Sequence, residues 1–407
     1  MRVRDSALIP PASVLRQLPA TGSRAVVRAG ASTVVGCSPA ATLVASGAEA
    51  FDVLREVEAG GFWVGYCAYD LGREIERVHA RTVDDVGIPD VAFARYDSRV
   101  VLHDDGRVDV IGDAVVLDPA EARREVELPE FRSSLDRVDH AAACARVQEL
   151  LEVGECYQVN LTRRLVADDA PDPVDLYDAL ARCNPAPYAG LCTFDDLDLA
   201  IVSASPELFL RIEPDPRGRR VETRPIKGTA ADAAVLATSA KDRAENVMIV
   251  DLARNDLGRV CEFGTVETPA LCEIEAHPGL FHLVSTVTGR LRAGTGLAEI
   301  VRATFPPASV TGAPKPRVMQ AIEELEPVRR GVYCGAVGWV DGDRGRAELA
   351  VAIRTFTIAR GRTYLGVGGG IVADSQPDSE WTETELKAAR LLAATGRTHE
   401  RASLASR

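Results

Sequence analysis

The chain has 407 residues, of which 46% are hydrophobic and 26% are charged. These are the proportions of an ordinary globular protein, and 33 glycines and 23 prolines are too few for a collagen-like or disordered chain. The length predicts two or three domains, or one large interleaved unit. A formal net charge of −13 repels polyanions, so we expect no nucleic-acid partner.

The cysteines and the first residues indicate in which cellular compartment the protein is expected. Nine cysteines are scattered along the chain without a Cys-x-x-Cys pair, which fits a reduced cytoplasm better than a zinc site. Pro10 and Pro11 break the first apolar stretch before it could serve as a signal peptide. No run approaches the ~18 apolar residues of a membrane span. We therefore predict a soluble, cytoplasmic protein with no membrane partner.

The first predicted elements lie in an amino-terminal part, 1–135, where short apolar stretches alternate with turn residues. Within it, 99–116 has the pattern of a β-hairpin, with its turn at Asp104-Asp105-Gly106. We expect this part to be interleaved with the core of the protein rather than to fold alone.

The second part, 136–395, opens with a helical pattern near 137 that ends near Gly154. Beyond it, strand-like segments come in runs and adjacent pairs rather than one per helix. That order favours antiparallel or mixed sheets over a doubly wound fold. The last residues, 396–407, have the composition of a frayed tail.

Two sets of acidic residues have helical spacing. Glu380, Glu383 and Lys387 share one face of a predicted helix, and Asp242 and Glu245 share a face of another. If the two faces met, their carboxylates would repel unless a hard cation such as Mg²⁺ lay between them. From spacing alone, two solvated faces with intrahelical ion pairs are the simpler interpretation.

Arg354 lies in LAVAIRTFTI, a segment apolar enough to predict a buried strand. A guanidinium in such a place needs an anion, either a structural Glu or Asp or a substrate carboxylate. The nearby run Gly366-Val367-Gly368-Gly369-Gly370 would let a ligand approach the backbone, although a tight turn explains it equally well.

Three further side chains could take part in acid–base or nucleophilic chemistry. His282 lies in an apolar stretch, where a satisfied core histidine is the commoner case. Glu207 follows a buried-looking strand, where shielding would raise the pKa of its carboxyl, but a plain turn residue fits as well. Lys227 is held between Pro225 and Gly228 and could act as a nucleophile once deprotonated. By residue type alone, a surface lysine is the simpler interpretation.

Nine segments carry a resemblance to a known family. They are ECYQVNLT, SASPELF, RPIKGT, KDRAENVMIVDLARNDLGRV, HLVSTVTG, SVTGAPKPRVMQAIEELEP, YCGAVGW, AIRT and GGGIVADS with the closing SEWTETELKAA. In this order they resemble the chorismate-utilising enzymes, which include anthranilate, aminodeoxychorismate, isochorismate and salicylate synthases. The resemblance covers about 145–395 densely, and the amino-terminal part more loosely, through GGFWVGYCAYDLGREIE. It implies an α+β fold of two large, mostly antiparallel sheets packed face to face with helices outside, and it makes 136–395 a chorismate-binding catalytic domain.

The resemblance also implies roles for individual residues. Glu207 would protonate the departing hydroxyl of the substrate, and His282 would face the reacting edge of its ring. The implied ligands of a Mg²⁺ ion are Asp242, Glu245, Glu380 and Glu383. The implied substrate-binding residues are Tyr333, Arg354 and Gly370 near the enolpyruvyl carboxylate, Gly228, Thr229 and Lys387 near the ring carboxylate, and, with no substrate group assigned, Gly368, Gly369, Thr311 and Gly312.

Two positions distinguish members of the family. Gln158 replaces the lysine that activates water in the water-adding members, and a neutral amide cannot be that base. Lys227 is at a position where the members that make 4-amino-4-deoxychorismate have a lysine, which is thought to attack the ring as the hydroxyl leaves. The resemblance therefore implies amination by ammonia to that product. Anthranilate synthesis is the nearest alternative, and a non-catalytic chorismate-binding subunit is an alternative of another class.

Ammonia must be supplied to such a reaction. The sequence has no Gly-x-Cys-x-Gly turn of the kind that carries the cysteine nucleophile of glutamine amidotransferases. We therefore expect a separate glutamine amidotransferase subunit as a partner.

Overall fold

The computed structural model describes residues 10–17, 22–113, 125–128, 130–277 and 279–393. These residues form nine α-helices and 21 β-strands. The helices are α1 (Pro11–Gln17), α2 (Ala50–Ala59), α3 (Arg137–Glu152), α4 (Pro173–Cys183), α5 (Ala233–Thr238), α6 (Ala240–Gly258), α7 (Leu297–Thr304), α8 (Lys315–Leu325) and α9 (Pro377–Ala393). The strands are β1 (Arg24–Arg28), β2 (Ser32–Cys37), β3 (Ala41–Ala45), β4 (Phe62–Cys67), β5 (Val91–Arg95), β6 (Arg99–His103), β7 (Val108–Ile111), β8 (Arg132–Ser133), β9 (Gln158–Ala167), β10 (Tyr188–Phe194), β11 (Leu199–Ser205), β12 (Leu208–Asp215), β13 (Gly218–Arg224), β14 (Ile226–Ala230), β15 (Glu267–His277), β16 (Leu280–Arg290), β17 (Gly312–Ala313), β18 (Ala336–Asp341), β19 (Arg346–Val351), β20 (Thr355–Ala359) and β21 (Arg362–Ile371).

The strands form two large antiparallel sheets. The first has eleven strands in the order β17-β9-β21-β20-β11-β10-β1-β2-β6-β7, with β8 also paired to β9. The second has ten strands in the order β14-β16-β13-β12-β19-β18-β4-β5-β3, with β15 also paired to β16. The α+β class and the two antiparallel sheets expected from the sequence are confirmed.

Apolar side chains fill three layers. A middle cluster joins the facing sides of the two sheets, with Val27 and Ile201 from the first sheet and Phe62 and Trp339 from the second. A second cluster packs α1, α4 and α9 on the outer side of the first sheet. A third packs α2, α6, α7 and α8 on the outer side of the second sheet. The helices therefore lie outside the pair of sheets.

Strands β1 to β7 lie at one end of the two sheets, whereas β8 pairs with β9 near the other end of the first sheet. In the first sheet, β1 pairs with β10, and β2, β6 and β7 follow outward. In the second, β4 pairs with β18, and β5 and β3 follow. The division of the chain at 135 stays a prediction, and the expected tail at 396–407 lies outside the described residues.

The two predicted local elements are present. β6 and β7 pair as a hairpin, and the N–H of Gly106 donates to the carbonyl of His103 in its turn (2.9 Å); the last predicted hairpin residues, 114–116, lie outside the described residues. The helix predicted from 137 is α3, which begins where the side chain of Asp136 accepts the N–H of Asp139 (2.8 Å). The chain leaves it at Gly154, with φ +76°.

Two of the connections in which the chain crosses from one sheet to the other lie side by side. β11 belongs to the first sheet and β12 to the second, with Glu207 in the connection. β19 belongs to the second sheet and β20 to the first, with Arg354 in that connection. The N–H of Val351 donates to the carbonyl of Glu207, and the N–H of Ala204 donates to that of Arg354, both at 3.0 Å. The acid and the guanidinium are thus placed by adjoining crossovers.

The strand predicted through Arg354 is therefore wrong in one respect. The apolar run is two strands that end on either side of this residue, and Arg354 has a left-handed backbone with φ +51°. Hydrophobicity is equally high on both sides of the break because both sheets are buried, so composition did not reveal the change of sheet.

A buried ion pair fixes the chain between α8 and β18. Arg330 and Glu326 are 2.6 Å apart, and their side chains are only 2% and 3% exposed. Arg330 also donates to the carbonyls of Val310 (2.9 Å) and Asn160 (2.6 Å).

Glu326→Ala is expected to destabilise the protein by about 3–5 kcal/mol, because it leaves a buried guanidinium without its carboxylate. The free energy of unfolding in urea measures this effect. Glu213→Ala is the matched control, since the Glu213–Arg346 pair is about half exposed and should contribute below about 1 kcal/mol. Equal losses in the two variants would contradict the assignment.

Candidate active site

Two helices present acidic residues in their amino-terminal turns. α6 begins after Ser239, whose hydroxyl accepts the N–H of Asp242 (3.2 Å), and Glu245 follows one turn later. α9 carries Glu380 in its first turn and Glu383 in the next. Carboxylates are favoured at these helix ends by the helix dipole.

Three of the four carboxylates, those of Glu380, Glu383 and Asp242, approach two glycines. A Cβ added to Gly369 of β21 would lie 3.3 Å from Oε2 of Glu380 and 3.6 Å from Oε1 of Glu383. A Cβ on Gly228, which has φ +87°, would lie 2.9 Å from the carboxyl carbon of Asp242. The helix faces predicted from spacing therefore point toward β21 and β14, while Glu383 and Lys387 are each about half exposed and form an intrahelical ion pair.

Lysines offset part of this negative charge. Nζ of Lys387 lies 2.6 Å from Glu383 and donates to the carbonyl of Gly368 at 2.7 Å. Burial opposes ionisation of Glu383, but Lys387 and two other lysines hold the pKa of this carboxyl below its usual value. On α6, burial raises the pKa of Glu245, and repulsion from Asp242 and Glu383 adds to it. The two helices are thus close enough for their carboxylates to interact.

The carboxylates fit a hard divalent cation in donor chemistry, since oxygen ligands are those that Mg²⁺ takes. Among the described ranges, no three His, Cys, Asp or Glu side chains converge as a ready-made metal site. Lysine ammonium groups instead lie beside Glu245 and Glu383, with Lys241 at 3.8 Å from Glu245. Burial raises the pKa of Glu245, and the charges of Lys227 and Lys241 oppose this rise, so the lysines already stabilise the charged form of this carboxylate.

Glu207 is the buried acid of the site. Its side chain is 3% exposed, and burial raises the pKa of its carboxyl from 4.5 to about 7. A hydrogen bond from Ser309, the charges of Lys227 and Arg354 and the N–H of Ile226 oppose this rise. A carboxyl with such a pKa can hold a proton near neutral pH and give it to a leaving group.

Lys227 projects from β14 beside that acid. Burial lowers the pKa of its ammonium group, although attraction to Glu245 and Glu207 opposes the effect. Its Nζ donates to the carbonyl of Ser309 (3.2 Å). Lys227 is therefore an enclosed amine near a proton donor, and the surface position that its residue type favoured is wrong.

Arg354 is half-buried, and its guanidinium makes no hydrogen bond or ion pair within the described part of the chain. Burial lowers its pKa to about 10, with Arg390 adding to the effect and Glu207 opposing it. Glu207 is close enough to influence Arg354, but no carboxylate forms an ion pair with its guanidinium among the described residues. An anionic ligand remains the interpretation that satisfies this charge.

The glycine-rich segment is the middle of β21, not a turn. Gly366 packs against the ring of Tyr333, and Gly370 against the amide nitrogen of Gln158, so closely that a Cβ would overlap either group. Gln158 is 1% exposed, and its Oε1 has no hydrogen-bond partner among the described residues. The absent side chains of Gly366 and Gly370 thus leave space for the side chains of Tyr333 and Gln158.

His282 lies on β16 beside β14. Its Nδ1 is 2.8 Å from the hydroxyl of Thr229, and the backbone of Gly228 also bonds its ring. Burial lowers the pKa of His282 to about 4, and the charges of Arg354 and His277 add to this, so the ring is neutral at pH 7.

Thr311 and Gly312 form the wall of the site next to Gln158. Thr311 is fully buried, and its hydroxyl donates to the carbonyl of Pro307 (3.1 Å). Gly312 pairs with Val159 in β17. The Thr311 side chain therefore shapes the turn, and a direct contact of either residue with substrate stays a prediction.

Contacts or short-range electrostatics connect the acidic pairs, Lys227, Glu207, Arg354 and His282 into one region. Sequence reasoning missed Ser375, which is 2% exposed and donates to Oε1 of Glu380 at 2.6 Å. It also missed Ser309. Both serines lie at the ends of motifs already singled out, GGGIVADS and SVTGAPK, but only the folded contacts reveal their partners.

The chain belongs to the chorismate-binding enzymes, because the model of that family matches residues 14–393. It is 39% identical to aminodeoxychorismate synthase component 1 of Klebsiella aerogenes over 350 residues, 81% of this chain and 76% of that one. It is 36% identical to anthranilate synthase component 1 of Mycolicibacterium smegmatis over 373 residues, 81% of this chain and 70% of that one.

A solved structure shows the same fold. Anthranilate synthase component I from Streptococcus pneumoniae superposes with a TM-score of 0.80 at 28% identity, over 90% of this chain and 93% of that one. The protein is therefore a chorismate-utilising enzyme, as the sequence motifs implied. The nine cysteines all lie in the described part of the chain, and no disulfide joins any two of them there. No helix in the described part of the chain is long and apolar enough to cross a membrane.

Glu207→Gln is expected to change how stability depends on pH. Since the folded protein holds the Glu207 proton with a pKa of about 7 instead of 4.5, the wild type loses stability as pH rises through that interval. The variant lacks this loss, so its free energy of unfolding should gain about 2–3 kcal/mol relative to wild type between pH 5 and pH 8. Urea unfolding at both pH values measures the gain, and parallel pH curves would contradict it.

Proposed function

We propose that this enzyme converts chorismate and ammonia to 4-amino-4-deoxychorismate and water, with Mg²⁺ as its cofactor. The observation that carries the proposal is the enclosed amine of Lys227 beside the buried acid Glu207. Relatives named aminodeoxychorismate synthase component 1, at 38–40% identity, support the same product.

Lys227 and Glu207 suit the two parts of a substitution, attack on the ring and departure of the hydroxyl group. Lys227, as the free amine, forms a bond to the ring while the allylic carbon–oxygen bond breaks. The proton of Glu207 goes to the departing hydroxyl, which leaves as water. Ammonia then forms the new carbon–nitrogen bond at the carbon that carried the hydroxyl, and the bond to Lys227 breaks. Covalent participation of the lysine divides one difficult displacement into two easier ones.

Binding of chorismate, a dianion, needs positive charge at two places. Arg354 has the unpaired guanidinium that would bind the enolpyruvyl carboxylate bidentately. The ring carboxylate would lie near Thr229 and Lys387, on the side of the acidic helices. Asp242, Glu245, Glu380 and Glu383 would hold the Mg²⁺ ion, which supplies charge to attract that carboxylate.

The nucleophile must be ammonia rather than water for this product. Gln158 is a neutral amide that cannot deprotonate water, and its Oε1 is buried without a partner in the described part of the chain. A separate glutamine amidotransferase subunit would supply the ammonia in the cytoplasm. The designation "component 1" of the relatives supports a partner component.

Anthranilate synthesis is the second candidate, because relatives with that name are nearly as similar and a solved structure with that title has the same fold. Lys227 favours the first candidate, since a nucleophilic lysine serves displacement at the hydroxyl-bearing carbon.

Incubation of the purified protein with chorismate, Mg²⁺ and ammonium should yield an amino-cyclohexadiene that is converted to 4-aminobenzoate only after a lyase is added. Mass spectrometry with and without the lyase identifies the product, and omission of Mg²⁺ should abolish it. Direct formation of 2-aminobenzoate and pyruvate would support anthranilate synthesis instead. Chorismate binding without turnover, even with an amidotransferase present, would support a non-catalytic subunit.

Lys227→Ala should slow amination by about 10²-fold or more while the affinity for chorismate changes little, because the variant loses the nucleophile and not the carboxylate contacts. Lys227→Arg is the matched control: it keeps the positive charge but cannot supply a free amine. Steady-state kinetics and chorismate titration separate the two effects. Full activity in the arginine variant would reduce the role of Lys227 to electrostatics.

A further inference from the structure

Among the residues that the structure describes, Ser309 is hydrogen-bonded to both Lys227 and Glu207. Its carbonyl oxygen accepts from Nζ of Lys227 at 3.2 Å, and its hydroxyl bonds to the carboxyl of Glu207. Ser309 is only 8% exposed, so neither contact is shared freely with solvent. A single residue thus connects the amine to the acid.

The turn that carries Ser309 is rigidly held. It is a single 3₁₀ turn, Ala308–Val310, closed by the N–H of Val310 donating to the carbonyl of Pro307 (3.2 Å). The Thr311 hydroxyl caps the same carbonyl of Pro307, and buried Arg330 donates to the carbonyl of Val310. Because its neighbours are fixed, Ser309 can hold its two partners in a defined geometry.

Each contact has a separate physical effect. A hydroxyl that donates to a carboxylate favours its charged form and limits the rotation of the carboxyl group. The Ser309 carbonyl accepts one N–H of Lys227 and so fixes the orientation of the terminal nitrogen. When that nitrogen loses a proton, its lone pair points away from the carbonyl and is free to attack. The rate of a displacement depends strongly on the orientation and distance of the reacting groups, since a misplacement of about 1 Å can lower it about 10²-fold.

We propose that Ser309 is a positioning residue that aligns the acid Glu207 with the nucleophile Lys227 for the same reaction. This inference rests on the proposed function, because it assumes that both groups act on chorismate. Ser309 itself transfers no proton and forms no bond to the substrate.

Ser309→Ala should lower kcat about 10- to 100-fold with chorismate and ammonium, while KM for chorismate stays within about twofold of wild type. Ser309→Thr keeps the hydroxyl and the main-chain carbonyl, and it should restore most of the rate. Ser23→Ala is a matched control: Ser23 is also 8% exposed, but its hydroxyl accepts from the N–H of Asp195 in the turn between β10 and β11 (3.1 Å), so kcat should not change.

The pH profile gives a readout that a merely structural role would not move. The charged groups that face Glu207 are Lys227 from β14 and Arg354 from the crossover between β19 and β20, and both remain in the variants. Loss of the donating hydroxyl should therefore shift the basic limb of the kcat profile to higher pH in Ser309→Ala, and the threonine variant should shift it back.

The outcomes separate this inference from the proposed function. A wild-type protein that makes no 4-amino-4-deoxychorismate would refute the proposed function, and the inference with it. An active wild type with unchanged kcat and pH profile in Ser309→Ala would refute the inference alone. So would a kcat loss that is equal in the alanine, threonine and Ser23 variants. Thermal unfolding of each variant identifies losses that arise from misfolding.

Discussion

Two main-chain hydrogen bonds join the adjoining crossovers, from Val351 to Glu207 and from Ala204 to Arg354. They are the constraint on which the rest of the site depends, because each crossover is the point where a buried strand leaves one sheet for the other. The acid and the guanidinium are therefore held by the backbone of both sheets at once. Side chains placed in this way need little reorganisation when a ligand arrives, which is what preorganised catalysis requires. The acidic helices and Lys227 then complete the site from the side of β14 and β21.

Some charges of the site are not fully satisfied by the described residues of the protein. Lys387 is paired with Glu383, but Arg354 has no ion pair among the described residues, and Glu245 keeps a raised pKa. Such groups are costly to the folded state, since burial removes water from them without supplying a partner. A dianionic substrate together with a divalent cation would satisfy both signs of charge. Without such partners these buried groups lower the stability of the folded protein.

The sequence predicted the fold class and the acidic, basic and nucleophilic side chains of the site, because motif order and helical spacing can be seen in the sequence itself. The i, i+3 spacing placed Glu380 and Glu383 on one face, and both approach Gly369. What composition did not contain was the relation between distant segments. The left-handed backbone of Arg354 follows from a change of sheet, and the glycines of β21 are explained by Tyr333 and Gln158, which come from other parts of the chain. The contacts of Ser309 and Ser375 were hidden for the same reason, since a serine gives no pattern of its own.

The position of the amino-terminal strands has a consequence for any attempt to isolate a minimal catalytic fragment. β1 covers the open side of β10, and β4 covers that of β18, so both sheets end in strands from before residue 135. A chain shortened to begin at 136 would present two long rows of bare N–H and C=O groups, together with the apolar sides of both sheets that Val27 and Phe62 now cover. Bare strand edges of this kind recruit other strands, so such a fragment would self-associate rather than work as a smaller enzyme.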